Sequence, residues 1–508
     1  GQGTEENPWQ IKNEEDWVTI TTNPRYCNSG NLQGCIRLEG KIDFSQIKEE
    51  SRKIQLNLND KTFDGNGYPI ENLTKPLFSV ANGTVKNLIL PDVEIDGNEN
   101  QGAIAQTVGG KATIENCYIS GSITATGNNN GAAGGLIGAA QNDQGAPLTI
   151  ENCVVNANIT GKGKFLAGGL IGSVSWSNAV TIKKCIAMGS VSNEKGQGAG
   201  GLVGGPNRRV TIKNSAALQE EVSTKGSKYY VDRIFGYDYD DVYVNGEQNF
   251  AYQDMRVKCG EILLDKDNDK NYKDWPKSHR GERVSKTELL TTDFWKNKIG
   301  WGSDTENWEF VDKQLPMLKM KRGNDEVEIF SGTDIPDYLQ ATNSLSGSVK
   351  SGENGIADAE ITFKKGSSEK KVATEPDGTF SIDLADGTYT VTIKKTGYLT
   401  WTDSVTIPGN LDFILEANPV SMPARQTVTG TFQTTDAESA TAEGEIKLIY
   451  AGTDSLQPKD FTLSSEEDGT AYGGVTLLAV TTENGTSSIK IQFAKSLDLG
   501  NKNEKQLY

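Results

Sequence analysis

Three groups of residues have the types and spacing that chemistry would need. Asp265, Asp267 and Asp269, in the run Asp265-Lys266-Asp267-Asn268-Asp269-Lys270-Asn271, stand where a calcium loop carries its first three carboxylates. That loop also requires a Gly at its sixth position and a bidentate Glu at its twelfth, and these are Lys270 and Pro276 here. An acidic loop of this kind ordinarily just meets solvent, so no metal is assigned; calcium is the one cofactor the chain would take. Tyr229, Tyr230, Tyr237, Tyr239 and Tyr243 cluster among Asp232, Asp238, Asp240 and Asp241. Aromatic faces beside carboxylates suit sugar rings, which stack on one and hydrogen-bond the other. Strands favour tyrosine without any ligand, so packing competes with that reading. Trp176, in Val174-Ser175-Trp176-Ser177-Asn178, reads as a loop-tip aromatic, a place where a large ring needs a reason to be. Trp176, Tyr237 and Tyr239 are the candidate ligand contacts. No catalytic residue is assigned.

Composition narrows the chemistry. The chain has 508 residues, 51 Lys and Arg against 68 Asp and Glu, and a formal charge of −17. Nucleic acid needs clustered cations, so it is excluded as a partner, as is an anionic membrane surface. His279 is the single histidine. It supplies no multi-histidine zinc site, and it sits in the polar run Lys277-Ser278-His279-Arg280. Glycosidase-type carboxylate pairs cannot be picked from so many acids without geometry. The stretch Gly196 to Gly201 lacks the Gly-Lys-Ser/Thr that follows a phosphate loop. No apolar run is long enough to cross a bilayer as a helix. The opening Gly1-Gln2-Gly3-Thr4 reads as a processed start without a signal peptide.

The elements that must position these residues come from internal repeats. Thr113-Ile114-Glu115-Asn116-Cys117 recurs as Thr149 to Cys153, as Thr181 to Cys185, and as Thr211-Ile212-Lys213-Asn214-Ser215. A weaker copy is Thr84 to Leu88. A second block moves in phase: Gly102-Ala103-Ile104-Ala105, Gly135-Leu136-Ile137-Gly138, Gly169-Leu170-Ile171-Gly172 and Gly201-Leu202-Val203-Gly204. Each repeat holds about three β-type runs, too short and too β-branched for helices. A repeat that cannot bury its own apolar face buries it by stacking on its neighbours. Three strands per repeat predict a right-handed parallel β-helix, with coils ~4.8 Å apart. Asn87, Asn116, Asn152 and Asn214 fall in one column, read as an amide ladder that Lys184 interrupts. Cys117, Cys153 and Cys185 form the next column. Stacked thiols at that spacing lie beyond disulfide reach, so they read as small buried apolar groups. Cys27 and Cys35 stand close enough in a loop-like stretch to pair in an oxidising compartment, and spacing alone leaves that open.

The Gly-Leu-(Ile/Val)-Gly blocks resemble the GLUG motif of bacterial surface proteins. Phe63-Asp64-Gly65-Asn66-Gly67-Tyr68-Pro69-Ile70 looks like the first coil of that pattern. Arg233-Ile234, Gly236 and Asn249 to Met255 fit its last coil. Thr292 to Trp295, Gly300-Trp301, Trp308-Glu309-Phe310 and Leu315 to Leu318 look like its closing segment. The resemblance covers about residues 10–325. It implies a secreted or surface-anchored adhesin-like β-helix of gut Bacteroidetes-type bacteria, located outside the cell, with no catalytic residue. The copy at Gly102 departs by losing its second Gly.

Beyond residue 325 the texture changes. Residues 326–344 read as a linker. Alternating strands with Asp377-Gly378 and Gly387 turns predict a small antiparallel sandwich over 345–417. This block resembles the carboxypeptidase regulatory-like, transthyretin-like domain, a non-catalytic accessory module. Residues 418–508 predict a further β domain of unassigned family. The whole is an all-β chain: a β-helix over 1–325, then two small β-sandwich-type domains. Its expected function is non-catalytic adhesion at the cell surface, to a glycan or an extracellular protein. The alternatives are a polysaccharide lyase or hydrolase built on a β-helix, and a spacer in an envelope assembly.

Overall fold

The computed structural model describes residues 1–52, 56–127, 131–142, 146–163, 166–176, 179–195, 198–206, 210–226, 230–236, 244–264, 280–322, 326–329, 335–366 and 368–416, and beyond these the strand backbones between 428 and 505. It divides into two units, Gly1–Ala341 and Thr342–Tyr508.

The first unit is a parallel β-solenoid. Its first face is a nine-stranded sheet in which strands such as Ala112–Glu115, Leu148–Glu151, Val180–Lys183 and Val210–Lys213 pair in parallel. Ile114, Ile150, Ile182 and Ile212 face one another rung by rung and are fully buried. The alternation follows from the two-residue strand period, which turns Thr and Glu or Lys outward as Ile turns inward. The second face is a ten-stranded sheet with longer strands: Ile89–Gly97, Tyr118–Ala125, Val154–Gly161 and Ile186–Asn193. The runs around Ser122 and Ile159 are therefore the second halves of long strands. Gly121, at φ +117°, joins two such halves, and a Cβ there would lie 2.2 Å from the Val93 carbonyl oxygen. The third face combines a five-stranded and a four-stranded sheet.

The repeats register with one slip. Gly168 pairs with Gly134 and Gly200, as the stacked blocks require. In the Gly102 block, however, Ala105 pairs with Ile137, and Gln101 bridges Ala133. Gly102 thus stacks on Gly134 rather than on Gly135. The inward apolar residue decides register, because a one-residue shift would turn every core side chain outward. The solenoid also starts before the Phe63 coil: Ile36–Leu38 pairs with Lys61–Asp64, and Trp9–Ile11 pairs with Ile36–Leu38.

A helix unforeseen in the all-β reading, Glu14–Thr22, covers the first coil. The Asn13 side chain caps it by accepting from the Asp16 amide, and three acids fill its first turn. Its buried Trp17 ring stands edge-on to Phe44 and Phe63. The far end is closed by residues 286–301, where Phe294 packs edge-on against Phe250.

The asparagine column has a second cause. Asn87, Asn116, Asn152, Lys184 and Asn214 all hold φ between 49° and 54°. Asn tolerates this left-handed turn better than most residues, which is why it recurs there. The amide ladder forms only in part. Asn116 Nδ2 donates to Asn87 Oδ1 at 3.4 Å, Asn87 Nδ2 to Asp64 Oδ1 at 3.0 Å and Asn214 Nδ2 to Gln248 Oε1 at 2.9 Å. Lys184 instead reaches Asp304 at 2.5 Å.

Of the stretch 326–344, the described residues 326–329 and 335–344 carry structure of their own. Glu326–Ile329 pairs with Met317–Arg322, and Leu339 is fully buried in the core of the first unit. In the second unit, two four-stranded sheets enclose Val349, Ile361, Phe363, Leu384 and Val391. Trp401 packs on Phe413 at 4.9 Å within this sandwich. Val428–Gln433, Thr441–Ile449, Val475–Glu483, Thr486–Ala494 and Glu504–Lys505 form one antiparallel five-stranded sheet.

Candidate functional site

The outward positions of the solenoid form in-register columns. On the first face Thr62, Thr84, Thr113, Thr149, Thr181 and Thr211 stack in one column. Two residues on, Asp64, Lys86, Glu115, Glu151, Lys183, Lys213 and Glu247 stack in a second. Unlike charges meet there, with Lys183 3.9 Å from Glu151 and Lys213 3.2 Å from Glu247. These pairs are exposed enough that each contributes little stability.

The second face differs in charge. Its outward columns run Glu94, Ser122, Asn158, Ser190, Glu221, Arg256 and Asp96, Thr124, Thr160, Ser192, Ser223, Lys258. The middle rungs are uncharged hydroxyls and one amide. The last rungs are ion-paired: Arg256 contacts Glu220 and Glu221, and Lys258 lies 2.6 Å from Glu221. Ser190 Oγ donates to Asn158 Oδ1 at 2.8 Å, so part of this lattice is satisfied internally. These columns went unassigned at the sequence level, although the hydroxyl residues that follow Ile123, Ile159 and Val191 were the signal.

The sequence-predicted contacts are not brought together among the described residues. Trp176 ends the strand Ile171–Trp176, its backbone opposite Asn142, rather than capping a loop. Tyr237, Tyr239, Asp265, Asp267, Asp269 and His279 lie outside the described residues. Among the described residues, the buried Asp232 carboxylate lies 3.5 Å from Arg280, and Arg233 Nε donates to the Arg280 carbonyl at 3.2 Å. Among the described residues no group of three or more His, Cys, Asp and Glu is placed to hold a metal.

All six cysteines are free thiols. Cys27 is buried in a short pairing with Leu32, and Cys35 accepts from the Thr62 amide at 3.4 Å. Cys117, Cys153 and Cys185 are fully buried. Each Sγ points at the carbonyl two residues back, at 3.1–3.3 Å. Burial pushes the Cys153 thiol well up, with its stacked neighbours adding to the effect. Two tyrosines are also shifted. Burial, then Asp254, pushes Tyr252 up to about 12. Burial raises Tyr338, whose hydroxyl donates to the Leu218 carbonyl at 2.7 Å and accepts from the Gly189 amide at 3.1 Å.

Comparison with known proteins gives two regional matches. Residues 344–416 match the carboxypeptidase regulatory-like domain, and residues 41–121 match the M26 IgA1-specific metallo-endopeptidase N-terminal region. An immunoglobulin A1 protease of Streptococcus sanguinis is 31% identical over 198 residues, which is 37% of this chain and 10% of that protein. The chain thus spans about a tenth of the length of the curated relative it matches. A crystal structure from Bacteroides ovatus, named for an immunoglobulin A1 protease, is 22% identical, covers 63% of this chain and 94% of its own, and gives a TM-score of 0.49. Another solved structure, named as an IgA1 protease, is 16% identical, covers 78% of this chain and 34% of its own, and gives a TM-score of 0.40. The chain therefore carries a carboxypeptidase regulatory-like domain after, in sequence, a β-solenoid of which residues 41–121 are similar to the M26 IgA1-specific metallo-endopeptidase N-terminal region.

Proposed function

We propose that this chain is a non-catalytic, extracellular binding protein of a bacterial surface, with an adhesin-like role. The observation that supports this most is the second face of the solenoid. The sheet presents Ser122, Thr124, Asn158, Thr160, Ser190 and Ser192 in register, uncharged, on a chain of strong net negative charge. Hydroxyl and amide lattices of this kind match the hydrogen-bonding groups of glycans and of extended protein segments. Trp176 is the proposed aromatic contact, and Tyr237 and Tyr239 are the proposed accessory ones, with calcium at Asp265, Asp267 and Asp269 as the proposed ion dependence.

The test is an array of glycans and extracellular proteins, immunoglobulin A included, probed with the purified chain in calcium and in chelator. Saturable binding that free ligand competes away supports the reading. A blank array overturns it and leaves the spacer role.

A second reading has its own support. The similarity of residues 41–121 to the N-terminal region of a metallo-endopeptidase suits a substrate-engaging, non-catalytic part of a protease-like protein. Binding confined to immunoglobulin A, without its cleavage, would single out this reading. Nothing observed favours the polysaccharide lyase or hydrolase alternative.

A further inference from the structure

A solenoid whose coils touch only their neighbours behaves as a one-dimensional stack that frays from its ends. Residues 299–322 depart from that rule, because one segment touches coils far apart along the axis. Asn214 Nδ2 donates to the Ile299 carbonyl at 2.6 Å, and Trp301 Nε1 donates to the Asn214 carbonyl at 2.8 Å. On the next coil, Asp304 receives the Lys184 ammonium at 2.5 Å. One coil further, Trp308 Nε1 donates to Asn152 Oδ1 at 3.1 Å. At the near end, Arg322 Nη2 donates to the Gly67 carbonyl at 2.9 Å, and its guanidinium stands 4.6 Å from the Tyr68 ring centre. The contacts descend the left-handed corner in coil order while the chain runs forward. The Trp301 and Trp308 rings lie 4.4 Å apart at a 36° tilt and, with Met320, are buried against that corner.

Lys184 is the informative residue. It holds φ 49° where the other repeats place Asn or the same column carries an amide. A lysine gains nothing locally in that conformation. What it gains is the carboxylate of Asp304, which is 10% exposed and is also held by Asn307 Nδ2 at 2.7 Å. The break in the asparagine column is thus matched to one residue of the overlying segment.

We propose that residues 299–322 are a lengthwise clasp that couples the coils between Gly67 and Asn214 into one cooperative unit, with the Lys184–Asp304 pair setting its register. The clasp supplies contacts between non-neighbouring coils, so opening any coil beneath it also costs the contacts of the others. This proposal is independent of what the solenoid binds.

Native-state hydrogen exchange on the full chain, read peptide by peptide, tests it with Lys184→Asn and Trp308→Phe. Lys184→Asn restores the amide column and improves the local turn. A lysine that is merely a lapse in the column predicts unchanged or slower exchange everywhere. A register pin predicts exchange faster by about tenfold over 299–308, because a mostly buried carboxylate loses its cation, and faster exchange at Gly67–Asn87 as well. Trp308→Phe keeps the ring packing and removes one donor, and the same two regions should loosen together. The 344–416 domain should not change in either variant. Acceleration confined to the peptides touching the substituted residue, or slower exchange in Lys184→Asn, overturns the proposal.

Discussion

Replacing Cys153 by Ser separates a structural thiol from a chemical one. The Cys153 side chain is fully buried, with Sγ 3.3 Å from the Glu151 carbonyl and 3.8 Å from that of Ile114. A hydroxyl at this site would lose the apolar contacts of sulfur, a cost of about 1 kcal/mol. Left without a partner it would cost about 1–3 kcal/mol more. The fold supplies a precedent against that extra cost. Ser215 occupies the same column one coil beyond Cys185, fully buried, and its Oγ donates to the Lys213 carbonyl at 3.0 Å. Its geometry is that of Cys153 with Glu151. The expected destabilisation of Cys153→Ser is therefore about 1 kcal/mol, with no unsatisfied hydroxyl. Urea unfolding followed by tryptophan fluorescence measures it, as a shift in midpoint at constant slope. A loss of about 4 kcal/mol or more, or failure to fold while Cys153→Ala folds, would refute the reasoning. Thiol labelling adds a check. Cys117, Cys153 and Cys185 should label only on unfolding and should count as three free thiols. A lower count under native oxidising conditions would mean that the column does redox or metal chemistry after all.

Other substitutions and conditions have equally definite outcomes. Gly168→Ala places a Cβ 2.0 Å from the Ile171 carbonyl oxygen and 2.4 Å from the Gly204 nitrogen, so the backbone must shift, and about 3 kcal/mol should be lost. Gly161→Ala meets only side-chain atoms at ordinary contact distance, Asn193 at 3.4 Å and the Ala167 Cβ at 3.6 Å, and should stay within about 1 kcal/mol of the parent; equal losses in thermal melts would sink the packing argument. Tyr252 and Tyr338 both ionise later folded than unfolded. Their contribution is complete below the unfolded tyrosine value of about 10 and is lost as pH rises through that value toward about 12 for Tyr252. Alkaline unfolding should begin in that window, and Tyr338→Phe should narrow it; an unchanged alkaline limb in that variant counts against the assignment. Trp176→Ala should weaken any array-detected ligand about tenfold or more, and undiminished affinity removes Trp176 from the contact surface.

Much of the architecture was legible because stacking repeats write their period into the chain. Ile114, Ile150, Ile182 and Ile212 must all turn inward, so the solenoid, its glycine corners and its cysteine column follow from local alternation and phase. The capping helix was legible too, in Asn13 followed by Glu14, Glu15 and Asp16 and then Trp17 and Ile20, but the strand texture around it masked the signal. The register of Gly102 was not legible, since glycine spacing and the inward apolar phase disagree by one residue there, and burial decides.

What the sequence alone determined is the repeating unit and the β-sandwich that follows it, because the repeat writes its period and apolar phase into the chain and the sandwich its strand alternation and turn residues. What only the tertiary structure decided is where the closing segment lies. Trp308 finds Asn152 across 156 residues, and Lys184 finds Asp304 across 120. No local pattern encodes such pairs, since loop closure lets distant residues meet at an entropic cost that grows only slowly with separation. The columns of Ser, Thr and Asn became a surface for the same reason: their residues are about a repeat apart in sequence, and the stacking of coils makes them neighbours.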